Sequence, residues 1–197
     1  MEQLLAFLHL IKPMSSELEQ DLRSIIKHRT VKKGEYILKA GNVCKEMCFI
    51  TKGLLRCFIE KDGKEIVTWL LKEGDVATAV VSFHDETRSD EYIQALEDSE
   101  MYYILKDELE EIYEKHMEFN YHGRKLTIMY QLEGRKQYNI MLSLSAQERY
   151  ELLEKTKPDL ITRVPAKQLA SYLRITEPYL SNIKSQRKLE TKQSPKE

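Results

Sequence analysis

A run of polar side chains near the C-terminus has the types and spacing needed to contact nucleic acid. After Thr176, the apolar residues Leu180 and Ile183 recur at helical spacing, and polar residues fill the positions between them. Such polar groups can hydrogen-bond to base edges and phosphates in a DNA major groove. The predicted base contacts are Glu177, Tyr179, Ser181 and Asn182. The predicted phosphate contacts are Lys184, Arg187 and Lys188.

The residues around this run predict two short helices joined by a tight turn, between Thr162 and Lys188. The first helix is indicated by Leu169, Ala170 and Leu173, which recur at helical spacing after Pro165. The second helix begins after Thr176, a residue type that caps helices. A residue as small as Ala170 allows two helices to cross closely. The pattern therefore predicts a helix-turn-helix.

Charge is distributed unevenly along the chain. Residues 146–197 carry 11 Lys and Arg against 7 Asp and Glu, whereas residues 1–145 carry 20 against 25. A basic C-terminal segment on an acidic body is the asymmetry expected of a small nucleic-acid-binding domain. The competing interpretation is a helical hairpin that only covers a larger domain.

Three sequence motifs resemble the Crp–Fnr family of bacterial transcription regulators. They are ALEDSE (95–100), SAQERYELLEK (145–155) and RVPAKQLASYLRITEPYLSNIK (163–184), and the closest likeness is to the Bacteroidetes-type branch. At the turn position where the family usually has Gly with a positive φ, this chain has Arg174. A non-Gly residue there costs about 1 kcal/mol, which a phosphate contact by Arg174 could offset. We therefore add Arg174 and Thr176 to the predicted DNA-binding residues.

Residues 30–105 have the pattern of a compact β domain. Short apolar runs alternate with turns, and Asp62-Gly63 predicts a tight hairpin. The resemblance implies that this segment is the family's cyclic-nucleotide-binding β-roll. The predicted fold is therefore α+β: an antiparallel, jelly-roll-like β-roll flanked by helices, a long dimerisation helix, and a C-terminal all-α helix-turn-helix domain.

Arg88 and Ser89 form the pair that the resemblance implies for ligand binding. Family members that bind cyclic AMP have a Gly-Glu pair and, after a loop, Arg-Ser or Arg-Thr. The arginine contacts the cyclic phosphate and the glutamate contacts the ribose. This chain has Thr78-Ala79 at the Gly-Glu position, and acidic residues flank Arg88. We therefore predict that the β-roll does not bind cyclic AMP; we predict no cofactor and leave an unknown small-molecule effector open.

The cysteines and histidines do not form a metal-binding pattern. Cys44, Cys48 and Cys57 are one thiolate short of a four-iron cluster, and the family's oxygen-sensing members place their cysteines mostly near the N-terminus. The five histidines form no ligand motif such as His-x-x-x-His; they are His9, His28, His84, His116 and His122. We predict no metal site and expect Cys48 and Cys57 to be buried reduced thiols.

The predicted organisation has four parts. Residues 1–117 form a β-roll sensor domain with N-terminal helices, 118–144 a long dimerisation helix, 145–190 a winged-helix or helix-turn-helix domain, and 191–197 a disordered tail. Helix N-termini are predicted from the pairs Ser16/Glu19, Asp107/Glu110 and Ser145/Glu148. Residues 118–144 are apolar on more than one side, so the β-roll and a two-fold partner can each bury one side. The alternative is a monomer whose long helix is simply core.

The combined prediction is a homodimeric DNA-binding transcription regulator that is not an enzyme. No apolar run is long enough to span a membrane and the first residues lack a secretion signal, so we expect a cytoplasmic protein. A two-fold dimer would place its second helices in successive major grooves, about 34 Å apart, on an inverted-repeat operator. RNA polymerase is a further candidate partner. The alternative function is a sensor or protein-interaction module whose helix-turn-helix no longer contacts DNA.

Overall fold

The structure, a computed structural model, describes residues 1–193 and the side chains of residues 1–187. The helices are α1 (Glu2–Ile11), α2 (Ser16–Ile25), α3 (Val80–Asp85), α4 (Lys106–Lys115), α5 (Phe119–Ser143), α6 (Ala146–Thr156), α7 (Pro158–Arg163), α8 (Ala166–Tyr172) and α9 (Glu177–Gln193). The strands are β1 (Lys27–Val31), β2 (Tyr36–Leu38), β3 (Glu46–Lys52), β4 (Leu54–Lys61), β5 (Lys64–Lys72), β6 (Val76–Ala77), β7 (Glu91–Ala95) and β8 (Ser99–Leu105).

The strands form two antiparallel four-stranded sheets, in the orders β1-β8-β3-β6 and β2-β7-β4-β5. The hairpin between β4 and β5 turns at Asp62 and Gly63, whose φ angles are 53° and 71°. Positive φ at both central residues matches the right-handed twist of the flanking strands. The hairpin prediction is confirmed, and so is the α+β fold with its antiparallel β-roll.

The N-terminal helices and α4 pack on the β-roll and share one core with it. Leu18 and Leu22 of α2 are almost fully buried together with Ile50, Ile93 and Met101 of the strands. In this way α2 buries one apolar stripe against the sheet that contains β1, β8 and β3. The helices cover the β domain, as their sequence pattern predicted.

One of the three predicted helix caps is confirmed and two are wrong by small offsets. Ser145 accepts from the Glu148 amide, and the Glu148 carboxylate accepts from the Ser145 amide at 2.7 Å, as predicted. The cap of α2 is Ser15, whose hydroxyl accepts from the Leu18 amide, and not Ser16. Helix α4 begins at Lys106, one residue before Asp107, so Glu108 and not Glu110 accepts from the backbone, at the Leu105 amide. Neighbouring Ser and Glu residues offer competing registers that differ by one or two positions.

Helix α5 runs Phe119–Ser143, within the predicted range 118–144, but the β-roll buries little of it. Only Phe119 and His122 are buried, both in its first turn. Besides Met129 at 49%, four large apolar residues further along the helix are between 40% and 69% exposed: Ile128, Leu132, Tyr138 and Leu142. At about 100° per residue they fall within about 120° of one another around the helix. This stripe is therefore not buried in the core of the single chain.

The C-terminal segment is helical throughout its described part. Residues 145–193 form α6 to α9 and, as far as the structure describes them, contain no strand, so the wing proposed for residues 145–190 is wrong. Pro158 follows the end of α6 and occupies the first turn of α7. The N–H that proline lacks would have no intrahelical partner at that position. Residues 191–193 of the predicted disordered tail belong to α9, and residues 194–197 lie outside the described part.

Candidate nucleic-acid interface

The turn between α8 and α9 is closed by backbone hydrogen bonds around a left-handed residue. Arg174 has a φ of 58°, and its amide donates to the Ser171 carbonyl at 3.1 Å. The next amide, of Ile175, donates to the Ala170 carbonyl at 3.0 Å. This pair of bonds is the Schellman ending of a helix, in which Gly is the usual left-handed residue. The predicted positive φ at Arg174 is confirmed.

The two helices pack through the residues that the apolar pattern selected. Leu169 and Ala170 of α8 are 0% and 2% exposed, and Leu180 and Ile183 of α9 are 1% and 2% exposed. The Thr176 hydroxyl accepts from the Tyr179 amide at 3.4 Å, so Thr176 caps α9 as predicted. Ala170 is buried in the same apolar cluster as Leu180 and Ile183, so a larger side chain there would overpack it.

Packing of this apolar side leaves most of the predicted DNA-binding residues on the surface. The exposed ones are Arg174, Thr176, Glu177, Tyr179, Ser181 and Asn182, and Lys184 is half-buried. Arg187 instead turns toward α6, where its guanidinium donates to Glu154 at 2.9 Å and lies 3.9 Å from Glu151. The side chain of Lys188 lies outside the described residues. The exposed set is continuous along the first two turns of α9 and the turn before it.

A second arginine raises the positive charge beside the turn. Arg149 of α6 donates to the Leu173 carbonyl at 3.1 Å and to the Leu144 carbonyl at 2.7 Å. It thereby connects the end of α8 to the end of α5. Partial burial and the neighbouring Arg149 charge lower the pKa of Arg174. An anion at this turn would therefore be stabilised by two guanidinium groups.

The helix-turn-helix is attached to the β-roll by a mixed polar and apolar junction. The Ser171 hydroxyl of α8 accepts from the Val67 amide of β5 at 3.0 Å and donates to the Glu65 carbonyl at 3.1 Å. Arg163 of α7 donates to both Glu73 and Glu97, at distances from 2.7 to 3.1 Å. One apolar cluster spans this junction and contains Leu54, Phe58, Val67, Leu70, Leu96, Leu160, Val164, Leu169 and Leu173. The opposite side of α9 is left outside the junction.

The structure does not build an anion site from Arg88 and Ser89. Arg88 is exposed on the loop after α3, where its backbone pairs with Val43. Ser89 is buried, but its hydroxyl bonds within its own turn, accepting from the Glu91 amide and donating to the Glu91 carbonyl. Neither residue lines a cavity beside α5 in the described part of the chain. Their role in ligand binding stays a prediction without geometric support.

A cavity of about 600 Å³ lies between the β-roll and α5, in the size range of small-molecule sites. Its polar lining includes Glu91 of β7, Thr68 of β5 and Tyr130 of α5. Burial raises the pKa of Glu91, whose carboxylate accepts from the Thr68 hydroxyl at 3.3 Å, and it raises the pKa of Tyr130 to about 12. No pattern in the sequence predicted this cavity. A signal for it was Glu91, an acidic residue two positions before the apolar Ile93 on one strand face.

The cysteines are isolated in the core. All three are free and buried, and burial raises the pKa of Cys48 to about 12 and also raises the pKa of Cys57. Such thiols stay protonated, and only thiolates bind metals strongly. Among the side chains that the structure describes, those of residues 1–187, no group of three or more His, Cys, Asp or Glu could hold a metal ion. No described helix is both long enough and apolar enough to cross a membrane.

Comparisons with known proteins agree with this architecture. Residues 28–116 match the family described as cyclic nucleotide-binding domain. The anaerobic regulatory protein of Bacillus subtilis is 30% identical over 98 residues, a match that covers 49% of this chain and only 41% of that protein.

Two solved structures share the fold over nearly the whole chain. The c-di-GMP responsive global regulator CLP of Xanthomonas campestris superposes with a TM-score of 0.69 at 11% identity, over 93% of this chain and 96% of that one. A protein of Eubacterium rectale, described as a transcriptional regulator of the Crp/Fnr family, superposes with a TM-score of 0.68 at 19% identity, over 90% and 85% of the two chains. At these identities the superpositions establish the fold. Residues 28–116 thus match the cyclic nucleotide-binding domain family, and nearly the whole chain shares the fold of these two solved structures.

Proposed function

We propose that the protein is a homodimeric, sequence-specific DNA-binding transcription regulator whose β-roll does not bind cyclic AMP. The observation that carries the proposal is the exposed polar surface of α9. The apolar side of α9 is buried against α8 and the junction, whereas Glu177, Tyr179, Ser181 and Asn182 are exposed and have no packing role. A helix held rigidly from one side with hydrogen-bonding groups on the other is suited to enter a major groove.

The proposed contacts divide into positioning and base recognition. Arg174 and Lys184 flank the surface and would contact phosphates, which fix the register of a protein on the duplex. Asn182 can pair with adenine, and Glu177 can accept from the cytosine amino group. Arg187 would contact a phosphate only after breaking its ion pair with Glu154, so we rank it last among the proposed phosphate contacts.

The exposed stripe of α5 supports the homodimer. A surface that leaves Ile128, Leu132 and Leu142 in water is stabilised when a second copy covers it. A parallel pairing of two α5 helices would put the two helix-turn-helix units on the same side of the dimer. Two half-sites bound together would compensate for the small number of contacts that one unit offers.

A salt titration of binding to random duplex DNA tests the proposal. Because each neutralised phosphate releases counterions, we expect log K to fall with log salt with a slope of about −4 to −8 for a dimer. The double variant Ser181→Asp/Asn182→Asp should abolish binding by placing carboxylates against the phosphates. The matched control Lys32→Gln removes an exposed lysine of the β-roll, outside α8 and α9, and should keep the wild-type slope.

Absence of binding at low salt would contradict the proposal and favour a protein-interaction module. An unchanged slope in the double variant would show that the protein binds DNA through a surface other than the exposed side of α9. Folding of each variant is checked by its melting temperature, because Ser181 and Asn182 are exposed and their replacement should leave it unchanged.

A further inference from the structure

The cavity between the β-roll and α5 has walls from several elements that are distant in sequence. Strands β3 to β7 form one wall, α4 contributes Leu109 and Tyr113, and α5 contributes Leu126 and Tyr130. Its volume of about 600 Å³ would hold a molecule with a dozen or more heavy atoms. Arg88 and Ser89 are not among its lining residues, so this cavity lacks the pair that the family resemblance assigns to a cyclic phosphate.

A β-bulge directs two consecutive side chains of β5 into the cavity. Cys57 of β4 faces Trp69 and the next residue, Phe58, faces Val67, so Thr68 is the additional, unpaired residue. In a regular strand Thr68 and Trp69 would point to opposite faces. The bulge lets both line the cavity. Bulges often re-aim side chains next to functional sites.

The lining combines aromatic surfaces with carboxylates. Trp69, Phe83, Tyr113 and Tyr130 provide aromatic rings, Glu91 lies inside and Glu110 is exposed. Among the described residues that line the cavity, none is Lys or Arg. The only hydrogen-bond donor that the structure gives the Glu91 carboxylate is the Thr68 hydroxyl, at 3.3 Å, within the described residues. A negative group in the cavity would be repelled, whereas a positive one would compensate Glu91.

We propose that the cavity binds an organic cation, a compound with an amine nitrogen against Glu91 and an apolar body against Trp69 and the tyrosines. Aromatic rings attract cations through the negative potential of their faces, and this attraction is strongest where water is excluded. A hydrogen bond from an ammonium group to the half-buried Glu91 carboxylate adds orientation. The class of ligand is therefore opposite in charge to a nucleotide.

Such a ligand would contact the β-roll and α5 at once. Tyr130 of α5 accepts from the Val76 amide at 2.6 Å, and Gly134 lines the same cavity one turn further along the helix. A compound that fills the cavity would stabilise one position of α5 against the β-roll, and α5 leads directly into the DNA-binding domain. As an effector site this inference rests on the proposed function. Binding itself does not, because it can be measured without DNA.

The test uses Trp69, the single tryptophan of the chain, as the reporter. Trp69 fluorescence of the full chain is titrated with phenethylamine, its neutral isostere phenethyl alcohol, the anion phenylpropionate, and cyclic AMP. We expect the amine to bind at least about tenfold more tightly than the alcohol, because the charge-assisted bond to Glu91 is lost in the alcohol. The anion and cyclic AMP should leave the fluorescence unchanged.

Glu91→Gln is the decisive variant, because it keeps the shape of the side chain and a bond to Thr68 but removes the charge. It should reduce the preference for the amine over the alcohol to about one. The matched control Glu60→Gln changes an exposed carboxylate of the same β-roll and should preserve the preference. Melting temperatures of both variants confirm that they fold.

The proposal is overturned if the alcohol binds as tightly as the amine, if Glu91→Gln keeps the preference, or if the anion or cyclic AMP binds best. No fluorescence change with millimolar amine would also overturn it. These failures leave the proposed DNA binding untouched; tight binding of cyclic AMP alone would also contradict the statement that the β-roll does not bind it. Conversely, amine binding by a protein that ignores DNA would support the site and refute only its regulatory role.

Discussion

Replacing Arg163 by Met should loosen the junction between the helix-turn-helix and the β-roll. The guanidinium makes two bonds of 2.9 Å to Glu73 and bonds of 2.7 and 3.1 Å to Glu97. The Arg163 side chain is 24% exposed, against 41% for Glu73. Solvent therefore screens one side of the network, so each of the two ion pairs, to Glu73 and to Glu97, should contribute about 1 kcal/mol. The variant should lower the free energy of unfolding by about 2 kcal/mol.

The free energy of unfolding that Arg163→Met loses should depend on pH in a predictable direction. The hydrogen bonds from Arg163 lower the pKa of Glu73 from 4.5 to about 2. A carboxylate with a depressed pKa stabilises the fold above its ordinary pKa and loses that contribution as the pH falls toward its folded pKa. The stability difference between wild type and Arg163→Met should therefore be full at neutral pH. It should shrink as the pH falls from about 5 toward about 2.

Urea unfolding at fixed protein concentration, followed by Trp69 fluorescence, measures the difference. The matched control is Lys32→Met, which removes an ion pair with Asp98 whose partners are 74% and 61% exposed. The control substitution should lower the free energy of unfolding by less than about 0.5 kcal/mol. Equal losses in the two variants, or a loss in Arg163→Met that does not change with pH, would refute the assigned role of the network.

Three further perturbations follow from the structure. Leu132→Glu should weaken dimerisation by about 100-fold in sedimentation analysis, because the dimer would bury two carboxylates. Leu10→Glu, at an exposed position of α1, should leave dimerisation unchanged. Arg174→Gly should raise the unfolding free energy by about 1 kcal/mol, because φ is 58°, while lowering the salt slope of DNA binding by about 1 per half-site. Gly53→Ala should melt at a much lower temperature than wild type, because the added Cβ would lie 2.7 Å from the Ser99 backbone. Gly134→Ala has open space around its Cβ and should raise the free energy of unfolding by about 1 kcal/mol.

Local patterns carried most of the helix-turn-helix prediction. Leu169, Leu173, Leu180 and Ile183 are apolar at helical spacing, and each is nearly fully buried. The positive φ of Arg174 was predicted from the resemblance, because the family usually has Gly at this turn position. These features depend on neighbours within a few residues, which a sequence displays directly.

The features that were missed depend on residues brought together from far apart. Arg187 was predicted to face DNA, but Glu154 of α6, 33 positions earlier, pairs with it. The junction needs Arg163 beside Glu73, which is 90 positions away. Tertiary contacts of this kind leave no periodic signal in the sequence.

The cavity beside α5 illustrates a second limit. It depends on a bulge at Thr68, and the alternation of apolar and polar residues in β5 does not show where the additional residue lies. Because the bulge changes which side chains point inward, the lining of the cavity could not be assigned from residue order. The Arg88-Ser89 pair, in contrast, was visible in the sequence but lies outside that lining.

Selection of bound sequences from a random duplex pool, with the wild-type protein, tests the central claim most directly. We predict enrichment of an inverted repeat whose half-site centres are about 34 Å apart, one helical turn of DNA. The same selection with Asn182→Ala should relax the preference at a symmetric pair of positions while keeping the spacing. A pool that remains random after repeated rounds, or enrichment of a single unrepeated site, would contradict a symmetric dimer that inserts α9 into successive major grooves.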